Sequence, residues 1–253
     1  MSTAKNPVRS VERSLEIIQV LRELDGATVT DIANHLDVTK GTAHNHLSTL
    51  LAHEVVVQRE GEYHLGIRLF EIGEEIRSGK QIYHVGVPEV NKLAEETGEL
   101  ANILIEEHGW GTYLHRAQGD RALSLDTGVG ARVHLHNTGL GKAILAHLPE
   151  EYVRDVLDRN GMPATTDKTI TSRGHLFEDL AAIRERGYSL DAGERAEGIR
   201  CVAAPVITRD GEIHGAISVA GPRGRMKGER LDTKIPELVT NAADVIGINL
   251  SYA

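Results

Sequence analysis

Residues 28–66 read TVTDIANHLDVTKGTAHNHLSTLLAHEVVVQREGEYHLG, and the succession of helix, turn and strand signals in this stretch decides the first half of the fold. Thr28 and Asp31 have the spacing of a capping box, with Asp in place of the usual Glu or Gln, and Ile32, Ala33 and Leu36 form the apolar side of a short helix ending near Asp37. A connector of about three residues, Asp37 to Thr39, leads to a second helix that Thr39 caps and whose Ala43, Leu47 and Leu50 point inward. Two short helices across so tight a connector read as a helix-turn-helix. Val55 to Gly66 then gives two β-type segments around Glu60-Gly61-Glu62, a hairpin that serves as a wing. Upstream, VERSLEIIQVLREL at 11–24 spaces Val11, Leu15, Ile18, Leu21 and Leu24 as one side of an amphipathic helix ended by Asp25-Gly26.

With Ala43, Leu47 and Leu50 inward, Gly41, Thr42, Asn45, Ser48 and Thr49 face outward and His44 sits at the border. Such a face hydrogen-bonds bases: Asn45 suits a bidentate contact to adenine, and Lys40 reaches guanine or phosphate. Thr39 and Thr42 suit phosphate at the helix N-terminus. Arg9 and Arg13 precede or open the first helix and Arg59 lies in the wing, all positions that meet DNA in this motif. The charge balance pulls the other way. The whole chain carries −9, and residues 1–66 hold six basic side chains against nine acidic ones, so non-specific attraction to phosphate is weak and position has to outweigh sum. A chain with 20 Arg, 8 Lys and an acidic excess is what a high-salt cytoplasm or a GC-rich genome tends to produce.

At 253 residues the chain is long for one module, and 40% hydrophobic with 26% charged residues is ordinary for globular domains, which excludes disordered and fibrous classes. The longest apolar run, Cys201 to Ile207, is far too short to span a bilayer, and the N-terminus shows no secretory pattern. A single cysteine permits no internal disulfide, so a cytoplasmic location is expected. The domains are expected at 1–66, 67–81 and 82–253. Ile67 to Arg77 is a helix with a narrow apolar stripe of Leu69, Ile72 and Ile76, a linker suited to packing on a partner chain. From Ile82 onward a helix through Val87, Val90, Leu93 and Ala94 stops at Gly98, and strands follow at 101–107, 112–117 and 122–126. Helices are expected at 139–147, 150–159, 173–186 and 232–250, and strands at 199–207 and 213–220. Hairpin-linked strands with helices between and after them indicate an α+β fold.

Taken in order, SVERSLEIIQVL at 10–21, VTKGTAHNHLSTL at 38–50, YHLGIRLFEIG at 63–73, NTGLGKAILAHLPEE at 137–151, TITSRGHLFEDLAAIRERGYSLDAGERAEGIRCVAAPV at 169–206 and AISVAGP at 216–222 resemble the segments of IclR family transcriptional regulators. The resemblance covers nearly the whole chain. It implies a winged helix-turn-helix joined to a GAF-like effector domain, a homodimer or dimer of dimers on palindromic operators, and a small carboxylate, sugar-derived or aromatic metabolite as effector. It further implies an effector site at Gly130, Ala131, Asp191, Cys201 and Ser218, where Gly130 lets backbone N–H groups approach an anionic oxygen and Ser218 and Cys201 offer small polar contacts. Asn45 stands where the family commonly has Arg, and His134 where it commonly has Pro.

No cofactor motif is present. Gly139-Leu-Gly141-Lys142 fails as a phosphate loop because Ala143 follows the lysine and no Gly stands five before Gly141, which leaves Lys142 as a surface or helix-start charge. Gly128-Val-Gly130 lacks the third glycine of a dinucleotide fingerprint. His134, His136, Asp191 and Cys201 include no tight ligand pair, so no metal is expected. Two alternatives to a regulator remain at this level. An enzyme would need a base and a nucleophile in one pocket, and only scattered His, Asp and Cys occur; a protein-interaction module on a winged-helix scaffold gains from the acidic balance of residues 1–66.

Overall fold

The computed structural model describes residues 5–123 and 127–252, and the chain divides into two compact units, 1–77 and 78–253. The first unit follows the expected order: α1 (Arg9–Leu24), α2 (Val29–His35), α3 (Lys40–Ala52), β1 (Val56–Arg59), β2 (Glu62–Leu65) and α4 (Arg68–Ser78). The caps act as their sequences require. Thr28 accepts the Asp31 N–H while Asp31 accepts the Thr28 N–H, closing the capping box, and the Thr28 hydroxyl, donating to the same carboxylate at 2.6 Å, leads with that N–H in holding the exposed Asp31 carboxyl below its usual range. Thr39 accepts the Thr42 N–H at 3.1 Å and starts α3. At the wing, Glu60 (φ 51) and Gly61 (φ 90) make a two-residue turn with both residues left-handed, the form that suits the twist of a hairpin. Ala27 exchanges backbone hydrogen bonds with Tyr63, which fastens the α1–α2 connection to the wing.

Ile17, Val20, Leu21, Ile32, Ala43, Leu47, Val56 and Tyr63 form the core of this unit. The inner face of α1 therefore differs from the stripe expected from spacing. Leu21 is buried and Ile18 half-buried, but Val11, Leu15 and Leu24 are about half exposed. Leucines at helical spacing define a stripe, and contacts with α3 and the wing decide which side of a broad apolar arc is covered. Val11 and Leu15 instead border an open groove with Ile18, Leu50, Val55 and Leu69. No residue of α4 is buried.

The second unit opens with α5 (Gln81–Thr97), which ends at the left-handed Gly98, and continues through β3 (Leu100–Glu107), β4 (Trp110–Gln118), β5 (Arg132–His134), α6 (Gly139–Leu145), α7 (Glu150–Asn160), α8 (Arg173–Arg186), β6 (Ser189–Asp191), β7 (Ile199–Ile207), β8 (Ile213–Pro222) and α9 (Ile235–Leu250). The strands make one antiparallel sheet in the order β5-β4-β3-β8-β7-β6. This is the α+β arrangement expected. The short edge strands β5 and β6 were not anticipated, and a wider π-helical turn, Arg230–Lys234, replaces the expected first turn of the last helix. The strand expected at 122–126 falls partly on residues 124–126, outside the described residues, and Ala122 and Leu123 are not in a strand.

Helices cover both faces of the sheet. Ala101, Ile103, Val202, Ala204 and Ile217 pack toward α5 and α9, while Leu104, Cys201, Ala203 and Ala216 pack toward α6, α7 and α8. This double coverage explains why Cys201 to Ile207 is continuously apolar where a one-sided strand would alternate. Gly141 permits the close seat of α6, since any Cβ there would strike the backbone of Leu135. Among the described residues no helix is long and apolar enough to cross a membrane.

Candidate nucleic-acid interface and ligand cavity

The outward face of α3 is built as the sequence implies. Lys40, Gly41, Thr42, Asn45, Ser48 and Thr49 are exposed, and so is His44, which the wheel placed at the border. Among the described residues the side chains of Lys40, His44 and Asn45 make no hydrogen bond or ion pair, and the same holds for Arg9 and for Arg59 on the wing. Two of the expected contacts are partly engaged. Thr39 spends its oxygen on the α3 cap, with the Thr42 hydroxyl 2.9 Å away. Arg13 donates to the Leu36 carbonyl at 3.2 Å and pairs with Glu16 at 2.8 Å, so it clasps α1 to the end of α2. His46, on the flank of α3, is hydrogen-bonded to Ser14 of α1 at 2.9 Å, which fixes the rotation of α3 against α1.

In the second unit a cavity opens between the sheet and the start of α6, with about 50 Å³ for the centres of water-sized groups. Asp191, Cys201 and Ser218, brought from β6, β7 and β8, all line it. Gly130 and Ala131 do not line it. Their N–H groups are hydrogen-bonded within the chain, Gly130 donating to the Tyr113 carbonyl at 2.8 Å and Ala131 to the Gly128 carbonyl at 3.1 Å. The rest of the polar lining was not singled out in the sequence. Asn102 of β3 stands opposite Arg116 of β4 on one side and Ser218 of β8 on the other. It accepts from Arg116 Nε at 3.2 Å and donates to Ser218 Oγ at 3.2 Å, a polar line across three neighbouring strands. Its signal was present, because Asn102 is the one polar residue within the apolar run Leu100–Ile105.

Burial sets the protonation of this lining. The Tyr113 hydroxyl is pushed up to about 12, chiefly by burial, with Cys201 and Asp191 adding to it against the pull of Arg195 and Arg116. Burial likewise pushes the Cys201 thiol up to about 12, with Asp191 reinforcing it. Both are neutral hydrogen-bonding groups near neutral pH, and Cys201 lacks the thiolate character of a nucleophile. Asp191 is committed to its own turn, where one oxygen accepts the Gly193 N–H at 2.9 Å and the Glu194 N–H at 2.6 Å.

Lys142 stands near the start of α6, as one half of its reading had it, but it is not a surface charge. Its side chain is 1% exposed, and its three donors are taken by Asp179 of α8 at 2.8 Å, Glu194 at 2.5 Å and the Leu190 carbonyl at 3.2 Å. Burial works against its charge, but Glu194 and Asp179 outweigh that and hold the ammonium pKa above its usual value. The histidines form a stack instead of a chelate. Arg132 lies over Trp110, Trp110 against His134 at 4.5 Å, and His134 against His136 at 5.5 Å. His136 is bonded to the Pro163 carbonyl at 3.2 Å, and burial depresses it to about 4. Among the described residues no group of three or more His, Cys, Asp or Glu is placed to hold a metal ion.

Comparison with known proteins gives consistent matches. Residues 10–60 match the IclR helix-turn-helix domain, and residues 76–247 match the bacterial transcriptional regulator IclR C-terminal domain. The transcriptional repressor IclR of Escherichia coli is 32% identical over 95% of this chain and 89% of that one. A probable HTH-type transcriptional regulator, ArcR, of Halobacterium salinarum is 30% identical over 97% of this chain and 95% of that one. A solved structure of an IclR homologue from Microbacterium hydrocarbonoxydans, complexed with 4-hydroxybenzoate, superposes with a TM-score of 0.80 over 96% of this chain and 98% of that one at 23% identity, a likeness of fold.

Proposed function

The chain belongs to the IclR family of transcriptional regulators, and from that premise we propose that its first unit binds a specific palindromic operator through α3 and the wing, under the control of a small metabolite held in the second. The family is one of DNA-binding regulators with an effector-binding C-terminal domain, not of enzymes. The observation that carries the DNA reading is the face of α3, where Lys40, His44 and Asn45 project with no partner among the described residues, as does Arg59 on the wing. A basic or amide side chain held on a rigid helix with its donors unspent is suited to phosphate and base edges. Arg9 extends this set, and Thr39, Thr42 and Arg13 contribute through the positions they hold. The work is cytoplasmic, where operator DNA lies.

The chain acts as a homodimer, alone or as a dimer of dimers. Supporting this is apolar surface left open on the first unit: Val11 and Leu15 on α1, Phe70, Ile72 and Ile76 on α4, each more than 40% exposed. Surface of that kind marks an association site, and a two-fold pair of recognition helices matches a palindrome. Asp191, Cys201 and Ser218 take part in holding the effector, with Gly130 and Ala131 outside the cavity in this conformation. The solved homologue with 4-hydroxybenzoate supports an acid as effector, and in this reading the genes controlled are those of sugar, sugar-acid or aromatic-acid catabolism. Control requires that the metabolite bind the DNA-competent and incompetent states with different affinity.

The test is binding of the full-length protein to its own upstream region at several salt concentrations, with Lys40→Ala and Asn45→Ala beside the wild type and candidate acids added. Specific binding that both variants lose and one acid shifts is the expected result. Binding that is weak, indifferent to sequence and unchanged in the variants would overturn the reading and favour an interaction module, in line with the acidic balance of residues 1–66.

A further inference from the structure

The end of the second unit's sheet where β3 begins gathers three guanidinium groups around one buried carboxylate. Glu99, fully buried just before β3, lays its carboxylate against Gly221 of β8, where a Cβ would come within 2.6 Å of Oε2. Ala220, the preceding residue of β8, lines the cavity, and successive strand residues face opposite ways, so this cluster lies on the other side of the sheet from the cavity. Arg225, in the turn after β8, grips Glu99 with Nε on Oε1 at 2.8 Å and Nη2 on Oε2 at 2.6 Å. Arg230, which opens the π-helical turn, reaches the same Oε1 at 3.4 Å and donates to the carbonyl of Thr97, the last residue of α5, at 2.7 Å. Arg121, after β4, donates to that carbonyl at 3.2 Å and lies over Gly98, where a Cβ would be 2.9 Å from its Nε. Shared acceptors therefore hold the three together: Arg121 meets Arg230 at one oxygen, and Arg230 meets Arg225 at another.

One carboxylate and one helix end do not balance three cations. The C-terminus of α5 supplies about half a negative charge and Glu99 a whole one, which leaves roughly one and a half positive charges uncompensated. The exposed acids next in sequence, Asp120 and Glu229, form no ion pair among the described residues, and the exposed Arg223 and Lys227 match them in number. Arg225 and Arg230 are half-buried, and Arg230 Nε is buried without an acceptor among the described residues, so solvent screens their mutual repulsion only in part. Such a set gains from an anion that brings the missing charge and several acceptor oxygens. A terminal phosphate carries about −1.5 to −2 near neutral pH with three acceptor oxygens, which guanidinium forks match. A phosphodiester of a nucleic-acid backbone brings a single charge and answers the excess less well.

We propose that Arg121, Arg225 and Arg230 form a second ligand site, for inorganic phosphate or the terminal phosphate of a small phosphomonoester, on the face of the sheet away from the cavity. Arg225, fixed by Glu99, positions the set, and Arg121 and Arg230 close on the phosphate with the N–H groups that Thr97 and Glu99 leave open. The site is a matter of ligand chemistry alone and stands whether or not the first unit binds an operator.

The experiment is titration calorimetry of the full-length protein, at constant ionic strength, with inorganic phosphate, glycerol 3-phosphate, the monoanionic diester dimethyl phosphate and a non-operator DNA duplex. Wild type is compared with Arg121→Gln, Arg121→Lys and Arg230→Gln; Arg225 stays in place, because its loss would leave the buried Glu99 poorly compensated. Inorganic phosphate and glycerol 3-phosphate are expected to bind at least about ten-fold more tightly than dimethyl phosphate. Their affinity should fall as pH drops from about 7.5 to about 5.5, through the second phosphate ionisation near 6, since arginine stays charged throughout. Each Gln variant should lose at least about five-fold in phosphate affinity, and Arg121→Lys should keep most of it. Should Arg230→Gln lose the native near-UV circular dichroism spectrum, the exposed Arg121 carries the test by itself. Absence of phosphate binding overturns the proposal. So does equal affinity for dimethyl phosphate or the duplex, which would make the cluster a surface for nucleic-acid backbone. Gln variants that bind phosphate as the wild type does overturn it as well, because the arginines would then serve only to cap α5 and neutralise Glu99.

Discussion

Lys40 and Lys142 each stand in the first turns of a short helix next to glycine, in KGTAHNHL and GLGKAILA, and they end in opposite environments. Lys40 is exposed and makes no ion pair among the described residues, whereas Lys142 is sealed in the second unit with all three donors engaged. The difference comes from chain distance. The partners of Lys142 lie 37, 48 and 52 residues downstream, on α8, at β6 and in the loop that follows. A charge left without a partner among the described residues is free to recognise something else, and a charge with three becomes part of the scaffold. The same contrast separates the two candidate sites, an open polar face on the first unit and a partly desolvated lining in the second.

The largest test of that contrast is Lys142→Met. Removing one member of a buried ion network leaves Asp179 and Glu194 uncompensated, and a cost of about 3–5 kcal/mol is expected. Urea unfolding should show it as a large drop in midpoint for the second unit. Lys40→Met should leave the midpoint nearly unchanged, within about 0.5 kcal/mol, as for ordinary surface substitutions. Equal losses in the two variants would erase the distinction.

Next comes acid. The pKa of His136 falls from an ordinary value near 6.5 to about 4 in the folded state, with burial as its main cause. The unfolded chain therefore binds the extra proton first, so stability is intact above about pH 6.5 and is lost as pH falls toward 4. The expected loss is on the order of 3 kcal/mol. It should appear in denaturation of the wild type between those pH values and be largely absent in His136→Gln, whatever that substitution costs at pH 7.

On the recognition face, Asn45→Ala should cost about 1–3 kcal/mol of discrimination at one base pair, while Lys40→Ala should weaken binding across sequences and lower the salt slope by about one. Competition binding against singly substituted operators distinguishes the two. The smallest effect belongs to Thr28→Ala, which removes the cap oxygen of α2 and should cost about 1 kcal/mol of stability in the first unit with operator preference unchanged.

What was legible in the chain was whatever is enforced locally. Thr28 and Thr39 announce the starts of α2 and α3 because a side-chain oxygen two or three residues from an unpaired N–H is the cheapest way to satisfy it. Glu60-Gly61 announces the wing because two consecutive left-handed residues suit few other structures. The outward face of α3 followed from helical periodicity around Ala43, Leu47 and Leu50. Among the cavity residues, Asp191, Cys201 and Ser218 came from family resemblance, and the cavity brings them together.

The remainder depended on strand neighbours and long loops. Which side of α1 is buried was settled by packing against α3 and the wing, so Val11 and Leu15 stayed exposed despite their spacing. The Arg116–Asn102–Ser218 line exists only because β4, β3 and β8 are adjacent in the sheet, and no local pattern encodes the 116-residue separation of Asn102 and Ser218. Sequence alone determined the helix starts, the turns and the polar outward face of α3, since each arises from contacts within a few residues. Tertiary structure decided which charges were consumed and which left open, because a desolvated ion is tolerated only where the fold delivers its partners from elsewhere in the chain.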